Sequence, residues 1–490
     1  MSDVHLIDVS LRDGNQSLWG AVGVRTRTIG KVSPILDRCN YHSIESMSST
    51  LFAVSVRYHK EDPWEKLDLA RRLAPSATFG FLTTGQRFIT FSKTPKALLH
   101  LAYSLLRRHG ITRMWVADPM LDMEATKANA RVAKQVGFSD VVAGLCYTIS
   151  PVHTDAFFAE RISELDECAD VDAVYLKDPS GLLTPQRLQV LVDTLREKLK
   201  RLKIEEIHTH CSTGIAPLTL LTAADLGFTK LHCALPPLAN GTSHTNALQL
   251  VRNLEARGHS VSADFDEMER ASRCLQREAS LFDLPQGAPV EYDESYYHHT
   301  LPGGVLTTTR RQLGEMGKAD LMPQVIEEAV RVRADLGWPI VVTPFAQYIV
   351  TQASINVMTG ERYSRISDEV VDLVLGEFGE MPGAINPELL DRVLQTPRGR
   401  AGLRPADDRS LDDFRKQLGS NLSDEELLLR GVMPTDQVEA MLARKARVTD
   451  HLGLLLEELN SDQTPISVSV NFGTSRFSAC GAPAAGGSHG

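Results

Sequence analysis

Eight short apolar runs, rich in β-branched residues, recur at a nearly regular spacing in the first half of this chain. Amphipathic stretches with helical periodicity, such as KALLHLAYSLLRRHG and PQRLQVLVDTLREKLKRL, separate them. Strands that alternate with helices form parallel sheets, and eight such units over about 250 residues predict a (β/α)₈ TIM barrel. A dinucleotide-binding sheet is disfavoured because no GxGxxG motif follows the first run. The runs are residues 4–10, 42–48, 78–84, 112–118, 140–148, 172–178, 205–210 and 229–235.

The chain has 490 residues, which is more than one hydrophobic core usually contains. After about residue 300 helical periodicity dominates, in segments such as LMPQVIEEAVRVRADLG and SDEVVDLVLGEFG. We therefore predict an α/β fold with a barrel domain over residues 1–300 and a mainly helical C-terminal domain over residues 301–472. The segment 473–490 consists mostly of small residues and is predicted to be a disordered tail.

Charge and composition argue against several classes of protein. The formal net charge is −10, and no long run of lysine and arginine suggests a nucleic-acid partner. No apolar run is long enough to span a bilayer, and the first residues, MSDVHLIDVS, do not have the pattern of a signal peptide. Seven scattered cysteines without a CxxC pair fit a reducing compartment. We expect a cytoplasmic protein without a membrane span.

Residues that commonly bind metals follow three of the predicted strands. Active sites of TIM barrels lie at the carboxyl ends of the strands. Asp13 follows the first strand, Lys177 lies near the end of the sixth, and His208 and His210 lie at the end of the seventh. Residues two apart in a strand point the same way, so the two imidazoles can face one point. A carboxylate and two imidazoles suit a divalent Zn, Mn or Co ion, so the sequence predicts a metal site.

Lys177 needs a separate explanation at such a site. An ammonium group has no lone pair to give to a metal, and it repels a dication. Burial near positive charge lowers the pKa of a lysine and exposes the neutral amine. A neutral amine can add CO₂ to form a carbamate, which is an anionic oxygen ligand. We therefore predict that Lys177 is carbamylated when metal is bound.

Motifs from residue 3 to about residue 470 resemble the carboxyltransferase components of biotin-dependent enzymes. That family includes the oxaloacetate decarboxylase alpha subunit, the transcarboxylase metal subunit and the carboxyltransferase domain of pyruvate carboxylase. The matching motifs are LRDGNQSL (11–18), EDPWEKL (61–67), LKDPSGLLTP (176–185), HTHCSTG (208–214), PPLANGTSHTN (236–246), HTLPGGVL (299–306), VTPFAQYIVTQASINVMTGERY (342–363) and GEMPGAINPELLDRVL (379–394).

The resemblance implies metal-assisted chemistry at carbon. It implies that Asp13, carbamylated Lys177, His208 and His210 bind the metal. Thr343 is expected to carry a proton between biotin and substrate, and Gln347 to contact the biotin beside it. Arg12 and Gln16 are expected to flank the metal. The implied reaction moves a carboxyl group to or from the enolate of a small organic acid.

The resemblance also implies partners. The Met-Lys-Met signature of a biotin carrier does not occur in the sequence. We therefore expect either a separate biotin carrier protein or a reaction without biotin. A homodimer is expected from the family.

Several positions depart from the family pattern near its substrate site. Thr84 stands where the family has an arginine that grips the substrate, and Gly23 replaces a second arginine. Phe345 and Ala346 stand where small hydroxyl residues are usual. Losing a bidentate carboxylate contact is not conservative. We expect pyruvate and oxaloacetate to be poor substrates unless Arg87 or Arg25 supplies another cation.

Three other readings compete with a biotin-dependent carboxyltransferase. A biotin-independent decarboxylase would use the same metal and enolate chemistry. An aldol or Claisen enzyme of the isopropylmalate synthase superfamily would share the LRDGxQ opening and the HxH pair. A catalytically inactive scaffold would keep only the barrel. KDPSG at 177–181 and VTP at 342–344 favour the carboxyltransferases over the aldol and Claisen enzymes, and the retained ligand-type residues argue against a scaffold.

Overall fold

Eight parallel strands close into the predicted barrel in the computed structural model. The structure describes residues 3–89 and 93–446, and the backbone of residues 467–472 and 475–480. Each strand pairs with its neighbour along the chain, and β1 pairs with both β2 and β8, which closes the barrel. All eight predicted runs are confirmed as strands. They are β1 (Asp3–Asp8), β2 (Ser43–Ser48), β3 (Phe79–Thr84), β4 (Ile111–Ala117), β5 (Asp140–Cys146), β6 (Ala173–Asp178), β7 (Ile204–Thr209) and β8 (Lys230–Cys233).

Helices surround the barrel and turn their apolar faces toward the strands. Several begin at capping residues that accept a hydrogen bond from the first turn: Asp62 accepts from the Trp64 amide at 2.9 Å, and Thr184 from the Arg187 amide at 3.1 Å. The helices of this part are α1 (Asn15–Leu18), α2 (Thr26–Leu36), α3 (Ser49–Val54), α4 (Pro63–Leu73), α5 (Lys96–Arg108), α6 (Met123–Gln135), α7 (Asp155–Asp166), α8 (Pro185–Arg196), α9 (Ala216–Asp225), α10 (Ala247–Ala256), α11 (Phe265–Leu281) and α12 (Ser295–His299). A short strand, β9 (Ser260–Val261), pairs with β1.

The region after residue 300 is helical, as predicted, and it divides between two cores. Helices α13 to α17 form an apolar cluster of their own, whereas Phe414, Leu427 and Met441 belong to the barrel cluster. The last helices thus pack on the outside of the barrel, where Arg108 of α5 pairs with Asp424 at 3.0 Å. The helices are α13 (Gly303–Glu315), α14 (Met322–Asp335), α15 (Phe345–Thr359), α16 (Asp368–Leu375), α17 (Pro387–Gln395), α18 (Pro397–Arg400), α19 (Leu411–Leu418), α20 (Asp424–Val432) and a helical stretch at 435–446.

The C-terminal end differs in part from the predicted disordered tail. Strands β10 (Ser467–Phe472) and β11 (Ser475–Cys480) pair in antiparallel register, so residues 475–480 are a strand and that part of the prediction is corrected. Backbone pairing with the alternating run at 467–472 supplies order that a composition of small residues did not indicate. Residues 481–490 lie outside the described part of the chain. Among the described helices, none has the length and apolarity that a membrane crossing needs.

A buried polar network occupies the interior of the barrel. The Arg113 guanidinium of β4 and the Trp115 indole donate to the Glu206 carboxylate of β7, and His232 of β8 donates to the same carboxylate at 2.8 Å. Burial by itself would raise the pKa of Glu206, but Arg113, His232 and Trp115 outweigh burial and lower it to about 2. The carboxylate is therefore ionised and fully bonded inside the barrel.

Replacing Glu206 by Gln should destabilise the protein strongly, because it leaves Arg113 buried with much less compensating charge. We expect a loss of about 3–5 kcal/mol in the free energy of unfolding, measured by urea titration at pH 7. As a control, Glu315→Gln removes an exposed pair with Arg311 and should cost less than about 1 kcal/mol.

The pH dependence has a definite sign. The pKa of Glu206 is lowered from 4.5 to about 2, so its contribution is complete above pH 4.5 and is lost as the pH falls through 2. The stability difference between the native protein and Glu206→Gln should therefore shrink over that interval. A difference that stays constant down to pH 2 would contradict the assignment.

Candidate metal centre

The structure brings the four predicted ligand residues together at the carboxyl ends of the strands. Asp13 lies in a π-helical turn, Ser10–Gly14, that follows β1. Lys177 and His208 are direct partners in the register of β6 and β7. The Asp13 Oδ2 atom lies 3.2 Å from His208 Nε2 and 3.5 Å from His210 Nε2. Closure of the barrel therefore places β1 and β7 side chains at one point, as the strand-end argument expected.

A third histidine, His244, reaches the same point and was missed by the sequence analysis. Its Nε2 atom lies 3.3 Å from Asp13 Oδ2. The potential ligand atoms of Asp13, His208, His210 and His244 all lie within 4.8 Å of one another, and all four residues are buried. His244 is part of the motif PPLANGTSHTN, after β8, but no local periodicity indicated where its ring would point.

Hydrogen bonds behind the imidazoles orient their lone pairs toward Asp13. His210 Nδ1 donates to the Thr242 carbonyl at 2.9 Å, and His244 Nδ1 donates to the Thr209 carbonyl at 3.0 Å. A carbonyl can only accept, so each of these rings donates from Nδ1, and the neutral ring then has its lone pair on Nε2. Such backing contacts are typical of histidines that bind metals.

His208 is oriented by the polar network inside the barrel. His232 donates from Nε2 to Glu206, so its Nδ1 can accept a hydrogen bond from His208 Nδ1, 2.9 Å away. The lone pair of His208 is then on Nε2, on the side of Asp13 and of Lys177 Nζ, which is 2.9 Å away. In all three rings of the cluster, Nδ1 is thus engaged in a hydrogen bond, and Nε2 lies on the side of Asp13.

The charges at this point also suit a cation. Burial, and then the neighbouring Lys177, hold the pKa of His208 well below its usual range, and burial with His210 lowers the pKa of His244 to about 3. Both rings are therefore neutral at pH 7. Burial would raise the pKa of Asp13, but Arg12 and His210 hold it well below its usual range.

These donors fit a divalent metal. His244 Nε2 is buried and has no hydrogen-bond partner, although a carboxylate oxygen faces it. A lone pair that faces a carboxylate is unfavourable unless a cation lies between them. Three imidazoles and one carboxylate are also a common ligand set for Zn or Mn.

A cavity of about 340 Å³ opens over this cluster and collects the other predicted site residues. Thr343 is half-buried, and its hydroxyl lies 3.5 Å from the Gln347 amide nitrogen, from which it can accept. The Arg12 guanidinium forms an ion pair with Asp13 at 2.9 Å and donates to Glu45 at 2.6 Å, so it holds the Asp13 carboxylate in place. The predicted site residues that line the cavity are Arg12, Asp13, Gln16, Lys177, His210, Thr343 and Gln347.

Of the positions that depart from the family pattern, some line the cavity and others do not. Thr84 lines the cavity, as expected. Gly23 does not face it, since a Cβ atom there would meet the Trp19 ring at 2.4 Å. Phe345 is fully buried and packs against Phe378 instead of adding bulk to the cavity wall. The expectations for Gly23 and Phe345 are therefore corrected, because packing directs both positions away from the open space.

Arg87 and Arg25, the two arginines that could replace the lost cation, lie in different surroundings. Arg87 lines the cavity. Arg25 stacks over Phe282, with 5.5 Å between the guanidinium carbon and the ring centroid. Of the two candidates, the structure therefore places Arg87 where a substrate could reach it.

Removal of His244 tests whether it is a ligand. We expect His244→Ala to raise the dissociation constant for Zn or Mn about tenfold or more, because it removes one of the converging lone pairs. Competition titration against a metal-binding dye would measure this constant without any assay of activity. The control is His5→Ala, since His5 lies at the opposite end of β1. A constant within twofold of the native value for His244→Ala would remove His244 from the ligand set.

Comparisons with known proteins agree with this geometry. Residues 296–472 match the family model described as a conserved carboxylase domain, and residues 103–275 match the one described as HMGL-like. The chain is 33% identical over 406 residues to a pyruvate carboxylase subunit of Methanocaldococcus jannaschii, covering 82% of this chain and 70% of that protein. It is 27% identical to the methylmalonyl-CoA carboxyltransferase 5S subunit of Propionibacterium freudenreichii, covering 88% and 86%.

Solved structures give the same result. The carboxyl transferase domain of Rhizobium etli pyruvate carboxylase superposes with a TM-score of 0.81 at 25% identity, covering 90% of this chain and 77% of that one.

A third relative by sequence is the 2-oxoglutarate carboxylase large subunit of Hydrogenobacter thermophilus, which is 27% identical, covering 90% of this chain and 68% of that protein. The chain therefore belongs to the carboxyltransferase components of biotin-dependent enzymes, and it is an enzyme of carboxyl transfer.

Proposed function

We propose that this protein moves a carboxyl group between biotin, carried by a separate protein, and a small oxo acid other than pyruvate. One observation carries the proposal. A single cavity has the metal-type cluster around Asp13 on one wall and Thr343 with Gln347 on another. Two reactants can therefore meet between a Lewis-acid site and a hydroxyl group, which is the arrangement that carboxyl transfer needs.

The metal-type cluster would bind and polarise the oxo acid. We propose that Asp13, His208, His210 and His244 hold a divalent Zn, Mn or Co ion, with Lys177 as a further ligand. When bound there, such an ion would supply Lewis acidity that stabilises negative charge on the oxygen of an enolate. Arg12 keeps the Asp13 carboxylate charged and fixed.

Thr343 would move the proton in this reaction. As the carboxyl group leaves biotin as CO₂, the biotin nitrogen takes the proton of the Thr343 hydroxyl. Thr343 then takes a proton from the carbon next to the oxo group, and the enolate carbon that remains forms a bond with CO₂. Gln347, next to Thr343, would orient the biotin ring.

Lys177 would act as a carbamate. Its ammonium is buried, and burial lowers its pKa, although Asp13 partly opposes the shift. The Nζ atom faces His208 Nε2, a position that a neutral amine or a carbamate tolerates better than an ammonium next to a dication.

The identity of the acceptor is left open by family membership. The similar proteins carry names for pyruvate, 2-oxoglutarate and methylmalonyl-CoA substrates. Thr84, at the end of β3, offers a hydroxyl where the family has a cation that would bind the carboxylate beside the oxo group. A charge-assisted hydrogen bond is worth about 1.5–3 kcal/mol, so the loss should weaken pyruvate binding about tenfold or more.

The carbamate can be observed directly. With ¹³C-labelled bicarbonate and metal present, we expect a carbamate carbon resonance in the native protein and none in Lys177→Arg. Lys177→Ala should also weaken metal binding, and excess bicarbonate should not restore it. If the native protein shows full metal occupancy and no carbamate signal, Lys177 is not carbamylated.

Biotin dependence separates the proposal from its competitors. We expect free biotin to stimulate decarboxylation of at least one acid in a panel of oxaloacetate, oxalosuccinate, methylmalonate and malonate. Thr343→Ala should lower the stimulated rate about 100-fold or more, whereas Thr343→Ser, which keeps the hydroxyl, should retain most of it. A rate that is the same with and without biotin would instead favour a biotin-independent decarboxylase.

A further inference from the structure

Arg87 is a buried cation in the wall of the reaction cavity. It lies in the loop after β3, three residues beyond Thr84, and only 7% of it is exposed. Two aromatic rings from the C-terminal region cover its guanidinium: Phe378, with 4.4 Å from the guanidinium carbon to the ring centroid, and Phe345, with 5.6 Å. The loop of the barrel and the helical region therefore meet at this side chain.

The hydrogen-bonding groups of Arg87 are not satisfied by the protein. Its Nη1 atom is buried and has no hydrogen-bond partner. Asp118 is close enough to favour the charge, but no ion pair joins Arg87 to an acid within the described parts of the chain. An unpaired buried cation is costly, and such a group normally has a ligand, a counter-ion or a functional role.

The aromatic rings account for the covered face of the Arg87 guanidinium but not for its unpaired donor. Stacking stabilises the face of a guanidinium by about 0.5–2 kcal/mol. Stacking uses no N–H group, so the donors in the plane of the guanidinium stay available for a carboxylate. Arg87 also lines the cavity, and a purely structural staple would not need a buried guanidinium with an unpaired donor at that place. The geometry therefore favours a binding role over a staple.

Arg87 lies at the border between the barrel and the helical region. Thr84 is the last residue of β3, at the level of the strand ends where the metal-type cluster lies. Arg87 lies further along the loop, against Phe345 at the start of α15 and Phe378 after α16. An anion on Arg87 would thus be bound where the cavity wall passes from the barrel to the helical region.

We propose that Arg87 binds a second carboxylate of the substrate, on the far side of the reacting carbon from the oxo group, and that the acceptor is a small dicarboxylic oxo acid. This inference rests on the proposed oxo-acid acceptor. A monocarboxylic acid such as pyruvate has its carboxylate beside the oxo group and cannot use this cation. Thr84 and Arg87 together then select against pyruvate and for a longer diacid.

The test compares two five-carbon acids that differ in the distal carboxylate. Calorimetry on the whole 490-residue chain, loaded with metal, would give dissociation constants for 2-oxoglutarate, 2-oxopentanoate and pyruvate. We expect the native protein to prefer 2-oxoglutarate over 2-oxopentanoate about tenfold or more. Arg87→Met should abolish that preference without weakening 2-oxopentanoate, and Arg87→Lys should retain part of it. The control, Arg25→Ala, should change neither constant, and thermal unfolding would confirm that each variant is folded.

A complementary variant makes the test reciprocal. Thr84→Arg should strengthen pyruvate binding about tenfold and leave the preference for the distal carboxylate in place. If Arg87→Met weakens both five-carbon acids equally, or if the native protein shows no preference, Arg87 is structural and the inference is wrong. Absence of measurable binding for all three acids would also overturn it. The biotin assay tests carboxyl transfer independently of these binding constants. If the preference depends on Arg87 but turnover does not depend on biotin, the proposed function is wrong and the inference on Arg87 still holds.

Discussion

A chain of buried polar contacts runs inside the barrel from Arg113 through Glu206 and His232 to His208. The arginine keeps Glu206 ionised, the carboxylate fixes the tautomer of His232, and His232 in turn fixes that of His208. The lone pair of His208 is therefore directed at Asp13 by a residue on another strand, β4. Most TIM barrels fill this space with aliphatic side chains. Here the cost of burying charge is offset by the three donors that pair with the Glu206 carboxylate, and this pairing orients a residue of the site.

The cavity depends on both parts of the chain. The barrel supplies the ligand-type residues and Thr84, whereas the helical region supplies Thr343, Gln347 and the rings that cover Arg87. Helices α13 to α17 have their own apolar core, and residues of α13 and α15 line the cavity over the strand ends. The two cores therefore meet at the place where the chemistry would occur.

The last helices show a limit of sequence patterns. Phe414, Leu427 and Met441 lie in the helical region by periodicity, yet they pack on the barrel and not on α13 to α17. Periodicity shows which face of a helix is apolar, but it does not show which neighbour covers that face. Gly23 shows the same limit. A Cβ atom at this position would meet the Trp19 ring and not the cavity, and the order of residues in the chain does not reveal that neighbour.

The barrel could be predicted from local patterns alone, because strand and helix periods are local properties and eight alternating units have few ways to pack. The same patterns placed Asp13, Lys177, His208 and His210 at one end, because the carboxyl ends of parallel strands lie on the same side. The chain had to fold before His244 could be seen to join them and Arg87 to line the cavity against Phe345 and Phe378. Both depend on loops whose course is set by contacts between residues far apart in the chain, and no local pattern encodes such contacts.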